Sequence, residues 1–219
     1  MEPLLAIAEE LERRDAEAAE ALAEVERLQY EVDELRTDAG AVAAFLRELP
    51  AARAALDAED RESALVSERA AAALVDAEAA LDRARGDNAR LDAARAVQHA
   101  RDAAENAELR VASAQQERAR LDDDAAARAA EAEELERRGA ALAQHPRLER
   151  SVVAPATGLH GLLDWASLAR GELLLTHAAL ATDREKLVRE ASELVASVLG
   201  DPLATATVAG LRERLAGSL

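Results

Sequence analysis

The side chains able to do chemistry are few and scattered along this chain. There are four histidines, His99, His145, His160 and His177, and no cysteine. His160, Asp164 and Ser167 fall close together. One helical turn brings a histidine and an aspartate four residues apart within hydrogen-bonding reach. A serine hydrolase also needs oxyanion donors and a sharply turned nucleophile, and no Gly-x-Ser-x-Gly motif is present. Asp122, Asp123 and Asp124 are consecutive, so on a helix they point about 100° apart and cannot converge on one cation. There is no inward Glu-x-x-His pair for a di-iron bundle and no His-Glu-x-x-His for zinc. Lys186, the single lysine, follows no glycine loop, and neither phosphate-binding glycine motif occurs. Gly158-Leu159-His160-Gly161 is only a short loop-like stretch. Arg85-Gly86-Asp87 matches the integrin-ligand tripeptide but reads as a turn. The expectation is a non-enzyme with no catalytic residue, cofactor or metal.

Composition narrows the class further. The 219 residues include 58 alanines, while aromatic residues make up only 1% and charged residues 32%. Alanine offers about one methyl group of burial, so such a chain fills thin helix–helix seams more readily than a thick globular core. The net charge of −17 repels nucleic-acid phosphates and anionic lipid headgroups, so no nucleic-acid partner is expected. The N-terminus has no basic segment followed by an apolar run, and the longest uncharged run, 151–163, is broken by Pro155 and two glycines. No signal peptide or integral membrane segment is expected, and the location is read as cytoplasmic. Arginine in place of lysine, together with the alanine, has the codon signature of a GC-rich bacterial genome.

The charge divides the chain. Residues 1–145 carry a net −16 and residues 146–219 a net −1. Residues 1–145 read as an acidic coiled-coil arm, 146–158 as a Pro/Gly linker, and 159–219 as a C-terminal helical module. In the arm, Leu4, Leu11, Ala18, Val25 and Val32 recur every seventh residue. Ile7, Ala21, Leu28 and Leu35 follow three positions later, with Arg14 as a polar intruder. This is a coiled-coil seam. The expected helices are 3–36, 41–49, 51–85 and 89–143, with Thr37-Asp38-Ala39-Gly40 as a stop and Pro50 as a restart. From Ala70 the seam runs through Leu74, Ala77, Leu81, Ala84, Asn88 and Leu91. It then changes phase to Ala93, Val97, Ala100, Ala104, Ala107, Val111, Ala114 and onward to Leu142. The slip falls after Gly86-Asp87-Asn88, which can end one helix and cap the next to make an antiparallel hairpin. A single bent helix with a stutter is the alternative.

In the C-terminal module, Leu173, Leu180, Leu187 and Leu194 lie seven apart. Leu174, Ala181, Val188 and Val195 flank them on one side, and His177, Arg184, Ala191 and Val198 on the other. A DNA-binding zipper needs a basic helix upstream, and Arg170 is the only strong base there. These leucines and Trp165 are the candidate helix–helix interaction residues, paired within the chain or across a dimer. Trp165 is placed in the neck, and His177 in the seam as a neutral core histidine. Thr182 and Glu185 could form an internal capping box that splits this helix. Gly200 with Asp201-Pro202 ends it, and a last helix spans about 207–216. No segment alternates with period two, so the fold class is all-α without a sheet.

The arginine-, glutamate- and alanine-rich arm resembles the coiled-coil arms of chromosome-segregation ATPases, though none of the head motifs is present. Its size and hairpin layout are similar to phage-shock-protein A and related membrane-remodelling proteins. Those bind lipid through a basic amphipathic first helix, whereas this chain opens with Glu2, Glu9, Glu10 and Glu12. The functional expectation is a scaffold, spacer or adaptor that pairs with itself, as a homodimer, or with another helical protein. A membrane- or nucleoid-associated accessory protein is the alternative. A ligand-binding bundle at the neck, around His160, Trp165 and His177, is the third reading.

Overall fold

The computed structural model describes residues 2–150, 152–200 and 208–218. Among these there are five helices and no strand: α1 (Glu2–Arg83), α2 (Asp87–Ala143), α3 (Pro146–Glu149), α4 (Leu159–Leu199) and α5 (Leu211–Ser218). The fold is all-α, with long helices packed against one another. The expected stop at Asp201-Pro202 and the helix start at Thr207 lie outside the described residues.

α1 is one unbroken helix of 82 residues, which corrects the expected breaks at 37–40 and at Pro50. The reason is visible in the seam. Val32, Leu35, Ala39 and Val42 are all fully buried, so the 3-4 spacing passes straight through the local stop signal. Gly40 does not take a left-handed conformation, and the Thr37 hydroxyl donates to the Asp33 carbonyl four residues back. Pro50 sits inside the helix on its exposed side, where water can reach the carbonyl that its ring leaves unpaired.

The chain forms two compact units, residues 1–40 with 134–219 and residues 41–133. The division expected from charge, at the 146–158 stretch, therefore does not match the packing. In the second unit α1 and α2 make the antiparallel hairpin. α1 ends at Arg83, Gly86 turns with φ +88°, and α2 begins at Asp87. The sequence register holds along α2, where Val97, Ala107, Ala114, Ala125 and Ala132 are buried. Asn88 and Leu91, expected in the preceding seam, lie beyond the turn and are exposed. Ion pairs fix the stagger: Arg53–Asp122 at 2.8 Å, Arg118–Asp57 at 2.9 Å and Arg118–Asp60 at 2.9 Å. Exposed pairs of this kind stabilise little and mainly select register. Arg128 also lies over the Phe45 ring, 6.0 Å from its centroid.

The first unit holds the larger side chains. α4 runs antiparallel to the start of α1, as Arg184–Asp15 at 2.8 Å, His177–Glu26 at 3.3 Å and Arg170–Asp33 at 2.8 Å show in turn. Arg170 Nε and Asp33 Oδ1 meet as charges without hydrogen-bond alignment. Leu187, Ala191 and Val195 of α4 pack with Ala8 and Leu11 of α1 and with Leu211 and Leu215 of α5. Ile7, expected in the seam, is exposed. Ala8 takes its place, and the following polar position is Asp15 rather than Arg14. α4 is continuous, with Thr182 donating its hydroxyl to the Ala178 carbonyl, so the expected capping box does not split it. Gly200 ends α4 in a left-handed conformation as anticipated.

Candidate functional site

The stretch expected to be a linker is an anchored segment. Pro146 opens the single turn of α3, and the His145 imidazole accepts from the Arg147 amide. Leu148 is fully buried and Val152 nearly so. Arg147 Nε donates to Glu24 Oε2 at 2.5 Å, and His145 Nε2 lies 3.4 Å from Glu24 Oε1. The Arg147 guanidinium holds the Glu24 carboxyl below its ordinary value, against a smaller upward push from burial. Beside this cluster lies an open groove of about 430 Å³ lined by Glu17, Glu20, Glu24, Arg27 and Arg147. Within it Glu24 pairs with Arg147, while Glu17 pairs with Arg13 and Arg27 with Glu31 outside the groove, and its lining carries no hydroxyl, thiol or amine.

At the neck, His160 is 93% exposed and stands 3.7 Å from Asp164. The Ser167 hydroxyl donates to the Leu163 carbonyl instead of meeting that pair. The three residues therefore do not assemble. Trp165 is buried, and its indole Nε1 has no hydrogen-bond partner among the described residues. An orphaned buried N–H costs about 1–3 kcal/mol, so the indole is held there by the apolar contact of its ring. His177 lies at the margin of the α1–α4 seam beside Glu26, which corrects its expected place in the core. Arg184, expected to flank the leucine row, pairs with Asp15.

The leucine row points inward. Leu173 and Leu187 are buried, while Leu180 and Leu194 are half-buried. Leu187 and Leu194 belong to the cluster with α1 and α5, well separated along α4 from Trp165. A second row, which the sequence reading did not single out, lies on the opposite face of α4. Leu168, Gly171, Leu175, Ala178 and Thr182 repeat at 3-4 spacing and are all exposed, with Leu174 beside them. The spacing of seven between Leu168 and Leu175 was the available signal, obscured by the longer leucine row on the other face. Next to it, Leu22, Ala181, Arg184, Glu185 and Val188 line a mostly apolar groove of about 390 Å³.

No helix among the described residues is long and apolar enough to cross a membrane. Comparison with known proteins adds no assignment: no protein family matches the chain, and no curated protein or solved structure is significantly similar to it.

Proposed function

We propose that this chain is a non-enzymatic structural protein, a scaffold, spacer or adaptor that works by helix–helix pairing. The observation that carries this reading is the exposed, mostly apolar row Leu168, Gly171, Leu175, Ala178 and Thr182 on α4, with Glu172 at its margin, in a chain of which 32% is charged. The inner face of α4 is occupied by α1 and α5, so the outer row is not needed to close the unit's own core. An exposed apolar strip of this kind marks a surface that meets another macromolecule. Helical partners suit it, because the 3-4 spacing matches the seam of a second helix. The acidic remainder of the surface keeps the chain apart from nucleic acids and from other acidic proteins.

Thermal melting of the full chain tests the reading. Association through helices makes the midpoint rise with protein concentration, because only the folded state pairs. A panel of nucleotides and divalent cations should leave the midpoint unchanged. A saturable rise of several degrees with one small ligand, without any dependence on protein concentration, would overturn the proposal in favour of a ligand-binding bundle.

A further inference from the structure

Resting on that reading, we infer that the outer face of α4 pairs with the same face of a second copy of this chain, antiparallel, through Leu168, Gly171, Leu175 and Ala178. Leu168 is 66% exposed, Leu175 70% and Leu174 47%, a concentration of large apolar side chains on one helical face. A Cβ placed on Gly171 would meet nothing within 4 Å, so there is open space at that position. An antiparallel twofold between the two α4 helices sets Leu175 of one copy over Gly171 of the other. The same register sets Leu168 over Ala178. Large side chains then meet small ones along the whole seam, which is the condition for close helix packing. A parallel pair would put glycine against glycine and leucine against leucine, leaving gaps and clashes in alternation.

Charge favours the same occupant. Two copies of a −17 chain repel over most of their surface. The row Leu168, Gly171, Leu175, Ala178 and Thr182 is uncharged, with Glu172 at its margin, so it is where they can approach at least cost. At each end of the antiparallel register, Asp164 of one copy lies on the same edge as Lys186 of the other, offset by about one helical turn. Both side chains are exposed and their charges are opposite. The two Glu172 side chains fall near the twofold axis, a like-charge contact that is small beside six buried leucines.

The full chain carries no native cysteine, so single cysteines report the register cleanly. In gel filtration with light scattering, the wild-type chain should give about twice its 23.3 kDa mass. Leu175→Asp should halve that value with the helical circular-dichroism signal unchanged, because Leu175 does not serve the internal core. If that variant loses helical signal, Ala178→Glu on the same row replaces it. Leu174→Cys, next to the twofold axis, should oxidise to a covalent dimer, while Asp123→Cys on α2 should not. A dimer that survives both charge substitutions, or a Leu174→Cys dimer that does not cross-link, overturns this face and register but leaves helix pairing standing. A wild-type chain that stays at 23.3 kDa at high concentration overturns self-pairing outright, leaving only pairing with a different helical protein.

Discussion

Glu24 on α1 and Arg147 at the start of α3 are 123 residues apart in sequence, yet their Oε2 and Nε atoms lie 2.5 Å apart. This contact ties the end of the α2–α3 segment to the first helix and turns a linker-like composition into an anchored turn. The Glu24 carboxyl is held below its ordinary value of 4.5 mainly by the Arg147 hydrogen bond. A lowered folded-state pKa means that the folded state binds fewer protons than the unfolded chain near that value. The contribution is therefore full above the ordinary carboxylate range and is lost as pH falls through the folded pKa. Arg147→Ala should cost about 0.5–1 kcal/mol at neutral pH, since Glu24 is about a third exposed, and less below the carboxylate range. Urea melts at pH 7 and pH 3 check this. An equal loss at both would show that the pair contributes nothing through charge.

Gly161 stands in the first turn of α4, beneath the chain that leads into it. A Cβ there would come within 2.5 Å of the Ala156 carbonyl oxygen and 2.8 Å of its carbon. Those are backbone atoms that cannot rotate aside. Gly161→Ala is therefore predicted to destabilise the fold by about 1–3 kcal/mol, although alanine is the better helix former. Denaturant titration reads the change, and an increase in stability would contradict the tight approach.

Pro50 interrupts the hydrogen-bond ladder of α1 without breaking the helix. A proline inside a helix costs about 3 kcal/mol or more in lost bonding and steric clash. Its side chain is exposed and makes no core contact to be lost. Pro50→Ala should raise stability by about 1–3 kcal/mol. A lower melting temperature for that variant would mean that the helix does not run continuously through this position.

Leu187 lies in the cluster with Ala8, Leu11 and Leu211. Leu187→Asp puts a charge among aliphatic side chains, and should cost about 3 kcal/mol or more. A loss under about 0.5 kcal/mol would place this leucine at the surface. Leu175→Asp, on the opposite face of the same helix, is the natural control.

Helix identity and the α2 register were legible because a seam of apolar residues at 3-4 spacing persists over many turns. The breaks were misread because Thr37-Asp38-Ala39-Gly40 and Pro50 are strong local signals, whereas Val32, Leu35, Ala39 and Val42 continue the seam across the first of them. The N-terminal phase was misread because hydrophobicity ranks Ile7 above Ala8, yet close helix contact selects the smaller side chain. The return of α4 onto the first 40 residues was not legible at all. Periodicity says which face of a helix is buried but not which helix covers it, and the Asp15–Arg184 and Asp33–Arg170 pairs appear only once the partner is known. The outer row of α4 is hidden in the sequence for a related reason: a helix with two apolar faces reads as one broad face.

α1 and α2 pair antiparallel within one chain, and spin-label distances in doubly labelled chains diluted with unlabelled protein test this directly. Labels at Asp57→Cys and Arg118→Cys should lie within about 20 Å of each other, because these side chains meet in the hairpin. Labels at Asp57→Cys and Arg95→Cys should be about 35 Å apart, the rise of the helix between positions 95 and 118. A long or absent distance for the first pair, or a short one for the second, would contradict the hairpin and everything built on it.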